Sequence, residues 1–208
     1  MKRALKAGLA VFAAALLAAG GAGAYFLHTH PEFPAKYTLH RFVHACIKGS
    51  DKQILRYSSI AQIVPLWDYY DAEGKLLSSD VQAETEKYIA SLRELFSGVT
   101  DYELIFCKSF AAYMPALSEA MRADRMSYEP KSVGLYSDRF ISYTENVRDS
   151  YMLAIRYTTP DGKEETEPVL VNLTELGWRA DPASVSAVYL LDIDPDFYET
   201  ESEKENGS

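Results

Sequence analysis

Cysteine is scarce in this 208-residue chain: only Cys46 and Cys107 occur, and no Cys-x-x-Cys pair is present. That excludes a four-cysteine zinc site and a dithiol redox motif. A glycine-rich phosphate loop and a Gly-x-Ser-x-Gly nucleophile elbow are also absent, which removes the motif-based nucleotide and hydrolase readings. Basic residues are few, 21 Lys and Arg against 30 Asp and Glu, for a formal net charge of −9. A nucleic-acid partner is disfavoured, because phosphate binding needs a basic footprint. There is no internal repeat.

The one long stretch without charge is residues 7–27, which follows Lys2, Arg3 and Lys6. An apolar run of about 20 residues is long enough to span a hydrocarbon core of roughly 30 Å as a helix. The flanking basic residues belong on the cytoplasmic side, so the remainder is expected outside the cytoplasm. Two outcomes stay open. Ala22-Gly23-Ala24 fits the small-residue pattern of a signal-peptide cleavage site. Tyr25, Phe26 and Leu27 prolong the apolar run past that site, as in an uncleaved single-pass anchor. The anchor is the preferred expectation. No cysteine ends the run, which argues against a lipoprotein.

About 180 residues follow, enough for one domain with a sizeable core. The expected divisions are 1–27 as signal anchor or signal peptide, 28–36 as spacer, 37–194 as folded domain and 195–208 as acidic flexible tail. Leu39, Phe42, Val43, Cys46 and Ile47 recur at helical spacing, which predicts a helix over 38–48 that stops at Gly49. Ser50 or Asp51 is placed to cap a second short helix, and Ser79 or Asp80 a third over 81–97. Val81, Thr85, Tyr88, Ile89, Leu92, Leu95 and Phe96 line one face of that third helix. The pattern then changes to strands at 102–106, 139–144, 150–159 and 168–173, with a small helix at 114–124. Pro160-Asp161-Gly162 is a hairpin turn. The fold class that follows is α+β: an N-terminal transmembrane or signal helix, then three helices packed on one face of a curved antiparallel sheet.

Two stretches carry a family resemblance. One is Leu39-His40-Arg41-Phe42-Val43-His44-Ala45-Cys46-Ile47-Lys48-Gly49-Ser50-Asp51, a helix with a Gly-x-Asp exit. The other is residues 150–181, a strand, an Asp-Gly-Lys turn, a second strand and a Gly-Trp ending. Over residues 37–181 the chain resembles the nuclear transport factor 2-like superfamily, closest to its bacterial membrane-anchored or secreted members. Residues 111–131 depart from that pattern and look like an insertion. The resemblance implies a cone of helices wrapped by a curved sheet, with a pocket between them. Some members are isomerases or dehydratases with Asp and His in the pocket; others bind, dimerise or assemble secretion machinery. Fold therefore does not decide function.

The candidate pocket residues are Asp68, Tyr69, His40 and His44. Trp67-Asp68-Tyr69-Tyr70-Asp71 mixes carboxylates with aromatics, and a buried Asp beside Tyr can serve as general base and oxyanion donor. A half-exposed aromatic segment explains the same residues. His40 and His44 stand one helical turn apart, half of a metal shell, with no third ligand in view. They read as boundary histidines of the apolar stripe, so no metal and no cofactor is expected. Asp192, Asp194, Asp196 and Glu203 have some calcium-loop spacing, but Phe197 stands where that loop needs glycine. Asn172-Leu173-Thr174 is a glycosylation sequon in an expected strand. A Cys46–Cys107 bridge stays open. The expected role is a non-catalytic extracytoplasmic binding or assembly module, with the membrane, a protein partner or second copy, or a small apolar ligand as partners. The alternative is a small-molecule isomerase or lyase acting in the cone pocket.

Overall fold

The computed structural model describes residues 23, 25–66, 69–70, 76–77, 80–127, 137–191, 193 and 197. Two compact units divide the chain, residues 1–34 and residues 35–208. In the first, residues 25–29 are helical, and the Phe26 ring packs against His30 and Phe33. Among the described residues no helix is long and apolar enough to cross a membrane. Most of the 7–27 run lies outside them.

Helix α1 (Phe33–Lys48) begins earlier than the hydrophobic spacing predicts and takes in part of the expected spacer. Pro34 does not prevent this, because the first turn has no N–H partner to lose. Gly49 ends α1 at φ 65°, a left-handed geometry that glycine adopts without cost. Helices α2 (Asp51–Tyr57) and α3 (Ile60–Ile63) follow, and α3 runs on into a 3-10 turn (Val64–Leu66). Two short strands pair next, β1 (Tyr69–Tyr70) with β2 (Leu76–Leu77). Helix α4 (Val81–Leu95) is capped by the Asp80 carboxylate, which accepts from the Gln82 and Ala83 amides. Its inner face is narrower than predicted: Ile89, Leu92 and the following Phe96 are buried, whereas Val81 and Leu95 are exposed.

The main sheet is an antiparallel meander in the order β3 (Tyr102–Ser109), β4 (Asp149–Thr158), β5 (Glu164–Thr174) and β6 (Gly177–Asp181). The β4–β5 register runs from Asp149 opposite Leu173 to Thr158 opposite Glu164. Beyond it the turn closes with Gly162 at φ 84°. Between β3 and β4 lie α5 (Met114–Ser127) and α6 (Asp138–Glu145). The sequence expectation of a strand over 139–144 is wrong. Ser137 accepts the Phe140 amide as an N-cap, and Phe140, Ile141 and Thr144 are buried at helical spacing. Aromatic and β-branched content, which favours strands, masked that period. After β6, Ser184–Leu190 forms a 3-10 helix.

The expectation that helices cover a single face of the sheet needs correction. Tyr151, Leu153, Ile155 and Tyr157 of β4 face one way, into a core with α1, α2 and α4. Met152 of β4 and Leu170 of β5 face the other way, into a second core with α5, α6 and the terminal 3-10 helix. Alternate residues of a strand point to opposite faces, so the sheet is the middle of three layers. The segment expected as an insertion supplies much of the third layer.

Candidate functional site

The second sheet face has a closed end and an open end. At the closed end, Ser150, Asn172 and Asp181 form a buried chain of hydrogen bonds. Ser150 Oγ donates to Asn172 Oδ1 at 2.7 Å, and Asn172 Nδ2 donates to Asp181 Oδ2 at 3.0 Å. The Ser184 amide and hydroxyl donate to the two oxygens of the same carboxyl, at 3.0 and 2.7 Å. Asp181 is 0% exposed. Burial raises its pKa above the usual carboxylate range against the opposing pull of these donors. The Tyr143 hydroxyl is buried close to Ser59, Asn172 and Asp181 and makes no hydrogen bond of regular geometry. Burial first, and Asp181 second, push its ionisation up. A polar cavity of about 360 Å³ lies over Tyr143 and Gln62, with Arg148 and Glu175 among its walls.

At the open end lies an apolar groove of about 420 Å³. Its floor is Met152 and Ala154 of β4 with Thr166 and Pro168 of β5; Ile105 and Phe106 of β3 form one wall. Val185, Val188 and Tyr189 of the terminal 3-10 helix form the other. A β-bulge places it: the β3–β4 register shifts between Leu104 and Phe106, so the consecutive residues Ile105 and Phe106 both reach the groove. Among the described residues Thr166 and Tyr189 supply the side-chain hydroxyls of the lining, and Tyr189 is 75% exposed. Beyond Ala154 on the same face stands Arg156, opposite Thr166 in register. Its guanidinium meets Glu103 at 3.3 Å and Glu164 at 3.6 Å.

The residues singled out from sequence lie elsewhere. His40 and His44 are both on the exposed side of α1 with ring centroids 6.4 Å apart. His40 Nδ1 shares a 2.5 Å hydrogen bond with the Tyr102 hydroxyl. Neither histidine lines the groove or the polar cavity. Asp68 is outside the described residues; Tyr69 is placed only as a backbone partner of Leu77. Among the described residues no cluster of three His, Cys, Asp or Glu side chains could hold a metal. The calcium-like acidic residues are outside that set. Cys46 is a buried thiol, pushed up to about 12 by burial; Cys107 is partly buried, and no disulfide joins the two. Asn172 of the sequon is wholly buried, out of reach of glycosylation in the folded domain.

Sequence reading missed both ends of the second face. The signal was present in β4, where Met152 and Ala154 alternate with the recognised Tyr151, Leu153 and Ile155. A strand apolar on both faces is covered on both. Comparison with protein-family models, curated proteins and solved structures returns no match for the chain.

Proposed function

We propose that the chain is a non-catalytic extracytoplasmic binding or assembly module, tethered to a bacterial cytoplasmic membrane through residues 7–27. The folded part is taken as a nuclear transport factor 2-like domain on a curved sheet, elaborated by α5 and α6. The observation that carries the binding reading is the apolar groove. Its volume lies within the roughly 300–1,000 Å³ range of small-molecule sites, and carbon lining with a few polar groups is the usual composition of such sites. Its lining comes from four separate segments, and Thr166 and Pro168 of its floor are exposed.

The isomerase or lyase alternative draws on Asp181 and Tyr143 rather than on the histidines. Both Asp181 oxygens already accept protein donors, an arrangement that holds β5, β6 and the terminal 3-10 helix together. Binding in the groove is therefore the preferred reading.

Native mass spectrometry of the full chain, purified from bacterial membranes in a detergent of known mass, tests it. The expected result is a bound apolar mass that disappears when Ala154→Phe or Thr166→Trp fills the groove. Retention of the same mass in both folded variants, or no mass at all in the wild type, would overturn the reading. N-terminal sequencing of the same sample reports on the tether. A chain starting at Tyr25 would show cleavage instead of anchoring.

A further inference from the structure

We infer that the groove selects uncharged amphiphiles over anionic ones, and that Glu103 and Glu164 set this preference by neutralising Arg156 at its end. The inference rests on the groove being a ligand site and adds the class of molecule it takes. The floor continues from Ala154 and Pro168 to Arg156 and Thr166 on one sheet face. A ligand whose apolar body lies on Ala154 and Pro168 thus brings its polar end toward Arg156. Left alone, a guanidinium there would favour a carboxylate, phosphate or sulfate. It is not left alone, because Glu103 from β3 and Glu164 from β5 both pair with it. Two carboxylates against one guanidinium leave that end of the groove with an excess negative charge.

Lys108, another cation on this side, is engaged as well. The Lys108 ammonium donates to the Phe197 carbonyl at 2.5 Å and lies over the Phe106 and Phe197 rings. An anionic headgroup would have to displace a glutamate from Arg156, within a chain of net charge −9. An alcohol or ester needs one hydrogen-bonding partner, and the hydroxyls of Thr166 and Tyr189 are in the lining. The glutamates act through Arg156 and are positioning residues for the headgroup.

Photo-crosslinking of the full chain in detergent tests this with two probes of equal length, a diazirine-bearing alkyl alcohol and the matching alkyl sulfonate, which stays ionised. Peptide mapping then reports labelling of β4 and of residues 184–190. The wild type should label with the alcohol about tenfold better than with the sulfonate, the scale of one like-charge contact near a protein surface. Glu103→Gln combined with Glu164→Gln should bring the sulfonate level with the alcohol or above it. Arg156→Gln, which leaves both glutamates unpaired, should widen the gap. Equal labelling by both probes in the wild type, or a preference unmoved by the glutamate substitutions, would overturn the selectivity. Failure of both probes to label these segments would instead remove the groove as a ligand site.

Discussion

The two faces of the sheet are built from the same strands, yet they solve different problems. The first face is apolar throughout its covered part: Leu153, Ile155, Val169 and Val171 are buried against α1, α2 and α4. The second passes from a buried polar chain at Ser150, Asn172 and Asp181, through Met152 and Leu170, to an open apolar groove. A sealed apolar face serves stability. A face that buries polar groups at one end and leaves carbon uncovered at the other has been shaped by more than stability, since exposed apolar surface of this kind marks interaction sites.

The contrast is tested most strongly with one residue from each face, Leu153 of β4 and Thr166 of β5. Leu153→Ala removes a fully buried side chain from the sealed face and should cost about 3–5 kcal/mol in urea denaturation. On the groove side the exposed Thr166 of β5, which stands opposite Arg156 in register, should tolerate Ala within about 0.5 kcal/mol. A cost at Thr166 approaching that at Leu153 would mean the groove is a packed core and not an open site.

A somewhat smaller effect is expected at the closed end. Asn172→Ala strips Ser150 of its acceptor and Asp181 of a donor, all within a buried site. Leaving buried polar groups unmatched costs about 1–3 kcal/mol each, so a loss of about 2–4 kcal/mol is expected. Loss of less than about 1 kcal/mol would show that water enters and replaces the amide.

How far these differences could be read in the sequence depended on how local each signal was. The Pro160-Asp161-Gly162 turn and the period-2 pattern of β4 are set by neighbours in the chain, and both were legible. The Asp80 cap was legible for the same reason. Helix α6 was not, because Phe140, Ile141 and Tyr143 suit strands as well as helices, and the deciding Ser137 cap is a single side chain. The candidate site was almost wholly illegible. Asp181 meets Asn172 and Ser150 only through sheet register, and the groove exists because a bulge in β3 faces a distant 3-10 helix. Neither arrangement has a spacing that a motif could express.

Asp181→Asn sharpens the comparison through pH. A carboxyl whose folded pKa is raised stabilises the fold most below its unfolded value of 3.8, and that contribution is lost as pH rises through the folded pKa. The amide has no such loss, but whichever way it turns, its NH₂ group must face another donor, the Ser184 amide or the Asn172 NH₂. The variant should therefore be less stable than wild type at pH 5, with the gap narrowing toward pH 8. Denaturation series at these pH values check it; a gap that widens with pH would mean Asp181 is held as the carboxylate.

The smallest effect belongs to the residues most prominent in the sequence. His40 and His44 are exposed on α1, and the burial that fixes this helix comes from Leu39, Phe42, Val43 and Cys46 on its other side. Each of those side chains contributes about 1.5–3 kcal/mol by leaving water. The histidines add one contact of note, the hydrogen bond shared by His40 Nδ1 and the Tyr102 hydroxyl, at the end of β3. A net hydrogen bond at a partly exposed site is worth about 0.5–1.5 kcal/mol. Two imidazoles are half of a tetrahedral shell, and Tyr102, pushed up to about 12 by burial and by Asp101, is a poor third ligand in its neutral form. Changing both histidines to Gln should thus cost about 1 kcal/mol or less. The bulk of that loss should already appear in His40→Gln alone, because the Tyr102 contact is made by His40. Thermal melts of the two variants and the wild type, each with zinc and with chelator, separate the alternatives. A zinc-induced rise in Tm confined to the wild type would make the exposed side of α1 a metal site, and would move the functional centre of the domain from the second face of the sheet to the first helix.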